Sequence, residues 1–181
     1  TAEAMLIIEK QTNKKIDIVV LLQGDEPMTN SSMIAAAVNP LISDKSIKIS
    51  NLYSSISSIK EFENPNEVKV VVDKNNNALY FSREPIPSRR KGVLNVPMFK
   101  QVCVIPFTRD FLLQYNKMPQ TPLEIIESVD MNRFLENDIK IKMVETKLDV
   151  DAVDVPSDLE RVKKKMEKDI LFQEYKNENE N

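Results

Sequence analysis

Two adjacent carboxylates, Asp25 and Glu26, follow the apolar run Ile18-Val-Val-Leu-Leu22 and precede Pro27. Acids at the carboxyl end of a strand stand where open α/β sheets bind ligands. As hard oxygen donors they suit Mg²⁺, which keeps several waters and arrives with substrate phosphates. The run is too continuous for a half-exposed strand, so it predicts a strand covered on both faces by helices. Gly24 permits a sharp exit, and Pro27 stops the strand. Taken alone, Gly24-Asp-Glu-Pro27 also reads as a solvated acidic turn.

Several chemistries are excluded by what the chain lacks. There is no histidine, so no Ser-His-Asp or Cys-His nucleophilic site, histidine proton shuttle or His-bearing zinc site can be assembled from it. The two glycines, Gly24 and Gly92, are too few for a G-x-G-x-x-G turn or a Walker A loop, so the chain carries no glycine-rich phosphate cradle. A single cysteine, Cys103, rules out an internal disulfide framework and fits a reducing cytoplasm; it reads as a small apolar strand residue. A net charge of −3 gives no bias towards nucleic acid or an anionic membrane. The longest apolar runs are too short to span a bilayer.

The elements that must position these groups alternate between helical and strand-like periods. Residues 2–10 read as a helix and 16–22 as a strand. Asn30-Ser-Ser32 caps a helix from Met33 to Leu41 that stops near Asn39-Pro40. Residues 47–56 alternate as a strand. Val68–Val72 and Ala78–Ser82, separated by Asp73-Lys-Asn-Asn-Asn77, give the clearest hairpin signal. Glu84 to Gly92 is a proline-rich loop whose Ser88-Arg-Arg-Lys91 cluster is either solvated or turned to an anion. Gln101–Phe107 reads as a strand and Arg109–Tyr115 as a short helix. Thr121-Pro-Leu-Glu124 is a capping box, which predicts a helix running to about Glu136. Residues 139–145 form a strand, and Leu159, Val162, Met166 and Ile170 mark one face of a final helix.

Five motifs in one order then resemble the 3-deoxy-manno-octulosonate cytidylyltransferase family: Leu22-Gln-Gly-Asp-Glu-Pro27, Asn64-Pro-Asn-Glu-Val-Lys-Val-Val-Val-Asp73, Ala78-Leu-Tyr-Phe-Ser-Arg-Glu-Pro-Ile-Pro87, Thr121-Pro-Leu-Glu124 with Ile126-Glu-Ser128, and Val153-Asp-Val-Pro-Ser-Asp-Leu-Glu-Arg-Val162. The resemblance implies a Rossmann-like, nucleotide-diphospho-sugar transferase-like α/β fold. This has a mixed sheet with helices on both faces and a β-hairpin dimerisation region. It also implies coupling of CTP to a 3-deoxy-2-keto sugar acid to give a CMP-sugar and pyrophosphate, for bacterial lipopolysaccharide or capsule. The chain is read as one domain over 1–172 with a polar tail at 173–181. The family's basic nucleotide loop is expected ahead of Thr1. A cytoplasmic homodimer is implied, with no nucleic-acid or membrane partner.

By resemblance Asp25 and Asp154 are the catalytic carboxylates that hold Mg²⁺. Asp154 also sits at a helix entrance, where a helix dipole alone favours an acid. Val155 stands where the family commonly has threonine, so Ser157 is expected to cap that helix. Arg83 resembles the arginine that pairs with the sugar carboxylate, against a plain ion pair with Glu84. Gln23 resembles a residue reaching sugar hydroxyls or orienting the metal site, against a strand-end amide. Glu124 is expected to be spent on its capping box, leaving Glu127, one turn on, for a sugar hydroxyl.

Where the family reads His-Ile-Gly-Ile-Tyr this chain has Gln101-Val-Cys-Val-Ile105. Glutamine still donates and accepts, but isoleucine cannot, so the hydroxyl pattern read can differ. A sialic-acid-like nonulosonic acid is the neighbouring substrate class. A non-catalytic sugar-binding or assembly module is the alternative of a different kind.

Overall fold

The computed structural model describes residues 1–93, 95–148, 151–153 and 155–179. In chain order the elements are α1 (Ala2–Thr12), β1 (Ile18–Leu22), α2 (Ser31–Ser43), β2 (Ser50–Ser55), α3 (Ile59–Phe62), β3 (Lys69–Val72), β4 (Ala78–Ser82) and β5 (Phe99–Val102). There follow β6 (Val104–Thr108), α4 (Arg109–Tyr115), α5 (Pro122–Glu127), α6 (Met131–Glu136), β7 (Lys142–Glu145), α7 (Pro156–Met166) and α8 (Ile170–Asn179). No helix among the described residues is long and apolar enough to cross a membrane.

The Ser-rich segment at 50–55 becomes the most enclosed strand of a five-stranded sheet ordered β4-β3-β5-β2-β7. β2 pairs parallel with β7 and antiparallel with β5, so the sheet is mixed. A second sheet joins β1 and β6 antiparallel. β5 and β6 are separated only by Cys103, where the chain bends out of one sheet into the other; the single strand predicted at 101–107 is thus two. Helices cover both faces. Met33 and Ala37 of α2 pack on Leu52, Val102 and Val104. On the other face Phe107, Phe111, Tyr115 and Phe134 form a ring cluster with centroids 4.6–6.5 Å apart, near the preferred spacing for aromatic pairs.

The hairpin forms as its turn chemistry predicts. Asp73 accepts from the amides of Asn75 and Asn77 at 2.8 Å each, and Asn76 takes the left-handed conformation at φ 56° that asparagine tolerates. Other expectations need correction. The alternate residues of β1 do face two cores, Val19 and Leu21 on one and Val20 on the other. They are only half-buried, because β6 is β1's one strand partner among the described residues. α2 runs through Pro40 to Ser43: proline costs the helix one donor, and fully buried Leu41 anchors the last turn. The helix begun at Thr121 breaks at Ser128, which adopts φ 52°, so that Asn132 of α6 can dock on β4. Its amide donates to the Phe81 carbonyl at 3.0 Å and accepts from the Phe81 N–H at 3.3 Å, capping the sheet's edge at that residue.

β5 lies inside its sheet, between β3 and β2, whereas β6 is one of the two strands of the smaller sheet. The C-terminus needs a further correction. The predicted final helix is two helices, α7 and α8. Of its four marked residues only Val162 is buried, and Ile170 is 75 % exposed. α8 also makes helix of residues 173–179, read from sequence as tail.

Candidate functional site

The turn that ends β1 is closed by the Glu26 N–H donating to the Gln23 carbonyl at 3.2 Å. Gly24 is not forced by sterics, since a Cβ there would meet nothing within 4 Å. Gln23, Asp25 and Glu26 emerge into a cavity of about 590 Å³ whose wall also includes Arg83, Gln101 and Val155. Three separate segments therefore bring Gln23, Asp25, Arg83 and Gln101 to one space.

Asp154 lies outside the described residues. The chain on either side of it is tied to the same place. The Val153 N–H donates to the Asp25 carbonyl at 2.9 Å, and Ala152 and Val155 both line the cavity. α7 begins with Val155 at its N-cap, and the Val155 N–H donates to Asp158 at 3.0 Å. Asp158, not Ser157, supplies that capping interaction.

Asp25 is exposed, and its side chain makes no hydrogen bond or ion pair among the described residues. Glu26 differs. Its half-buried carboxylate accepts from the Cys103 N–H at 3.2 Å, which holds the β1 turn to the β5–β6 bend. Burial, aided by the Asp25 charge, pushes the Glu26 carboxyl above the usual carboxylate range.

Arg83 directly follows β4 and is bound to backbone. Its guanidinium donates to the carbonyls of Glu127 (2.9 Å), Pro65 (3.0 Å) and Ser128 (3.3 Å), rather than to Glu84. With three of its five donors so used, the side chain is fixed at the cavity wall. Glu127 is not brought into that wall. Its carboxylate accepts from the Tyr80 hydroxyl (3.1 Å), the Ser82 hydroxyl (2.8 Å) and the Arg83 N–H (2.8 Å). Burial opposes its charge, but these three donors and the Arg83 charge together hold the carboxyl below its ordinary range. It supports Arg83 from behind. Glu124 is spent as expected, accepting from the Thr121 N–H at 3.2 Å and pairing with Arg133.

Gln101 reaches the cavity from β5, and its amide donates to the Asn51 side chain at 2.6 Å. Asn51 is fully buried and donates in turn to the Val102 carbonyl at 2.7 Å. Sequence reading gave Asn51 no role; a polar residue between Ile49 and Tyr53 in the alternating pattern of a buried strand face was the available signal. It also missed Lys100, buried in β5 and paired with Glu61 at 2.9 Å and with Glu67, a cavity residue, at 3.2 Å.

Among the described residues, the cavity wall carries the acids Asp25, Glu26, Glu67 and Asp130 and the cation Arg83. Anionic substrates entering so acidic a space need a cation. No group of three or more metal-ligating side chains occurs among the described residues. One or two carboxylates completed by substrate phosphates is the donor set Mg²⁺ prefers, so Asp25 fits such an ion.

Comparison with known proteins places the chain among relatives. Residues 1–141 match the sequence profile of the family described as cytidylyltransferase. The chain is 41% identical over 160 residues to the 3-deoxy-manno-octulosonate cytidylyltransferase of Geobacter metallireducens, covering 83% of this chain and 63% of that protein. It is 40% identical over 162 residues to the enzyme of the same name from Fusobacterium nucleatum, covering 90% and 65%. A solved CMP:2-keto-3-deoxy-manno-octonic acid synthetase complexed with CTP superposes with a TM-score of 0.78 at 32% identity, covering 90% of this chain and 66% of that one. The chain thus spans just under two thirds of the length of these relatives.

Proposed function

The chain belongs to the cytidylyltransferase family, and we propose that it forms the sugar-acid-binding part of an enzyme coupling CTP to 3-deoxy-manno-octulosonate. In that reaction the anomeric hydroxyl oxygen bonds to the α-phosphorus of CTP. The bond from that phosphorus to the oxygen bridging to the β-phosphorus breaks, pyrophosphate leaves, and the hydroxyl proton passes to solvent. The observation that carries the reading is the convergence of Gln23, Asp25, Arg83 and Gln101 on one cavity in a chain of this family.

The residues divide the work by chemistry. Arg83, held by three carbonyls, keeps donors for the sugar carboxylate. Gln23 and Gln101 offer amides to sugar hydroxyls, with Gln101 set in place by Asn51. Asp25, with Asp154 as the second carboxylate, would hold Mg²⁺, which when bound polarises the α-phosphate and offsets the charge of the leaving pyrophosphate. Positioning of two anionic substrates is the protein's main contribution.

Ile105, a cavity residue, offers no hydrogen bond and favours one second reading, a related sugar acid whose hydroxyl pattern differs at that point. The reaction is placed in the cytoplasm, where CTP is made, and supplies lipopolysaccharide or capsule. A homodimer through the hairpin region completes the proposal; exposed Leu79 on β4 supports it. Pyrophosphate release by the intact protein, with CTP, Mg²⁺ and either 3-deoxy-manno-octulosonate or a nonulosonic acid, tests the reading. Release with the octulosonate is expected. Release only with the nonulosonic acid selects the second reading, and none with either acid refutes both.

A further inference from the structure

Lys69 of β3 is fully buried, an unusual place for a lysine without a carboxylate partner. Its ammonium donates to the carbonyls of Glu67 at 2.7 Å, Asn64 at 2.9 Å, and Arg83. All three of its donors are therefore used. Burial pushes its pKa down, and the nearby charges of Glu67, Glu84 and Glu127 work against that fall.

Lys69 also stands opposite Lys100 in the β3–β5 register. Like charges directly opposite on neighbouring strands destabilise a sheet. Here the two ammoniums reach different acceptors on one stretch of chain, Lys100 the side chains of Glu61 and Glu67 and Lys69 the backbone at 64 and 67. The Arg83 guanidinium takes the carbonyl of Pro65 between them. The 64–67 loop thus turns three carbonyls inward onto two cations, while Asn66 and Glu67 face the cavity.

We propose that Lys69 is a positioning residue of the sugar-acid site, setting the distance between the 64–68 wall and the Arg83 guanidinium by binding a carbonyl on each. The proposal rests on the reading of this cavity as a sugar-acid site. Lys69 touches no substrate; it acts through Arg83 and the loop. A neutral side chain leaves the carbonyls of Glu67 and Arg83 without this donor, and the Asn64 carbonyl with only the Glu67 N–H at 3.2 Å. Arginine, with its planar fork, cannot reproduce a three-way tetrahedral contact at one point.

The test is Lys69→Met in the intact protein, read by amide hydrogen exchange and by steady-state kinetics. Exchange at residues 66–68 and 83–84 should quicken by about tenfold or more while the α4 and α6 amides hold. The KM for the sugar acid should rise by about tenfold or more, with the KM for CTP within about twofold. Lys69→Gln, which restores one donor, should fall between. Unchanged exchange overturns the strut, and equal loss for both substrates, or for neither, overturns its role at the sugar site. If the wild-type protein releases no pyrophosphate with any sugar acid, the reading of the cavity fails, while exchange still decides the strut. If Lys69→Met does not fold, the wild-type ammonium is observed by ¹⁵N NMR. Protected Nζ protons coupled to the carbonyl carbons of 64, 67 and 83 support the proposal, and rapidly exchanging ones overturn it.

Discussion

The two sides of the cavity are built to different standards. On one side Asp25 stands exposed at the end of an edge strand, its side chain without a hydrogen bond or ion pair among the described residues. On the other, Arg83, Glu127 and Lys69 share a closed set of hydrogen bonds in which the Arg83 carbonyl, amide and guanidinium are all engaged. A carboxylate that must take a hydrated ion and a triphosphate gains nothing from protein partners that would compete for its oxygens. An arginine that must read a planar carboxylate gains specificity from being fixed beforehand. Under the proposed function, the contrast separates a side for chemistry from a side for recognition.

The largest expected effect breaks the chemical side. Asp25→Asn preserves shape and removes charge, so kcat should fall on the order of 10²- to 10³-fold. With no side-chain bond lost, the melting temperature should stay within about 2 °C. Turnover assays paired with thermal unfolding check both. Arg83→Lys comes next. It cannot bridge three carbonyls and a ligand, so the sugar-acid KM should rise about 10- to 100-fold, the loss of one or two charge-assisted bonds, while the KM for CTP holds.

Glu127→Gln tests the support behind Arg83. Denaturant unfolding at neutral pH should show a loss of about 1–3 kcal/mol, because three donors lose a charged acceptor. The sign with pH follows from its lowered pKa. A carboxyl depressed in the folded state stabilises above its unfolded pKa, and that stability is lost as pH falls through the folded value. The gap between wild type and Glu127→Gln should therefore be full at neutral pH and close below the ordinary carboxylate range. A gap that widens in acid would contradict the support role.

The smallest effect belongs to Asn51→Leu, which strips Gln101 of its anchor and the Val102 carbonyl of a donor. Stability should drop by about 1–2 kcal/mol and the sugar-acid KM rise only a few-fold, as titrations of the purified variant would show.

These residues also mark what could be read before the fold was known. The 73–77 turn was legible because aspartate and asparagine carry their own hydrogen bonds and tolerate left-handed backbone. Asp25 stood out from the residues themselves, as an acid just past a strand with a clear hydrophobic signal, whereas Gln23, Arg83 and Gln101 were picked out by the resemblance of their motifs to a family. The break at Ser128 was not: serine at φ 52° has no glycine signature, and the cause lies in Asn132 meeting Phe81 across 51 residues. The hold of Glu127 on the Tyr80–Arg83 segment was hidden for the same reason. Helical spacing sets which face it shares with Glu124, but only the position of β4 decides whether that face meets a ligand or the Ser82–Arg83 backbone. Lys69 sat in the quoted motif and was passed over, since alternation along a strand does not say which lysine will be enclosed.

The most direct test of the division is single-turnover pyrophosphate release titrated with the sugar acid, run on wild type, Asp25→Asn and Arg83→Lys. One curve returns both the rate at saturation and the half-saturating concentration. The account predicts a crossed result: Asp25→Asn loses the rate and keeps the half-saturating concentration within about threefold, while Arg83→Lys shifts the concentration at least tenfold and keeps most of the rate. Asp25→Asn turning over like wild type, or both variants losing rate and affinity together, would contradict it.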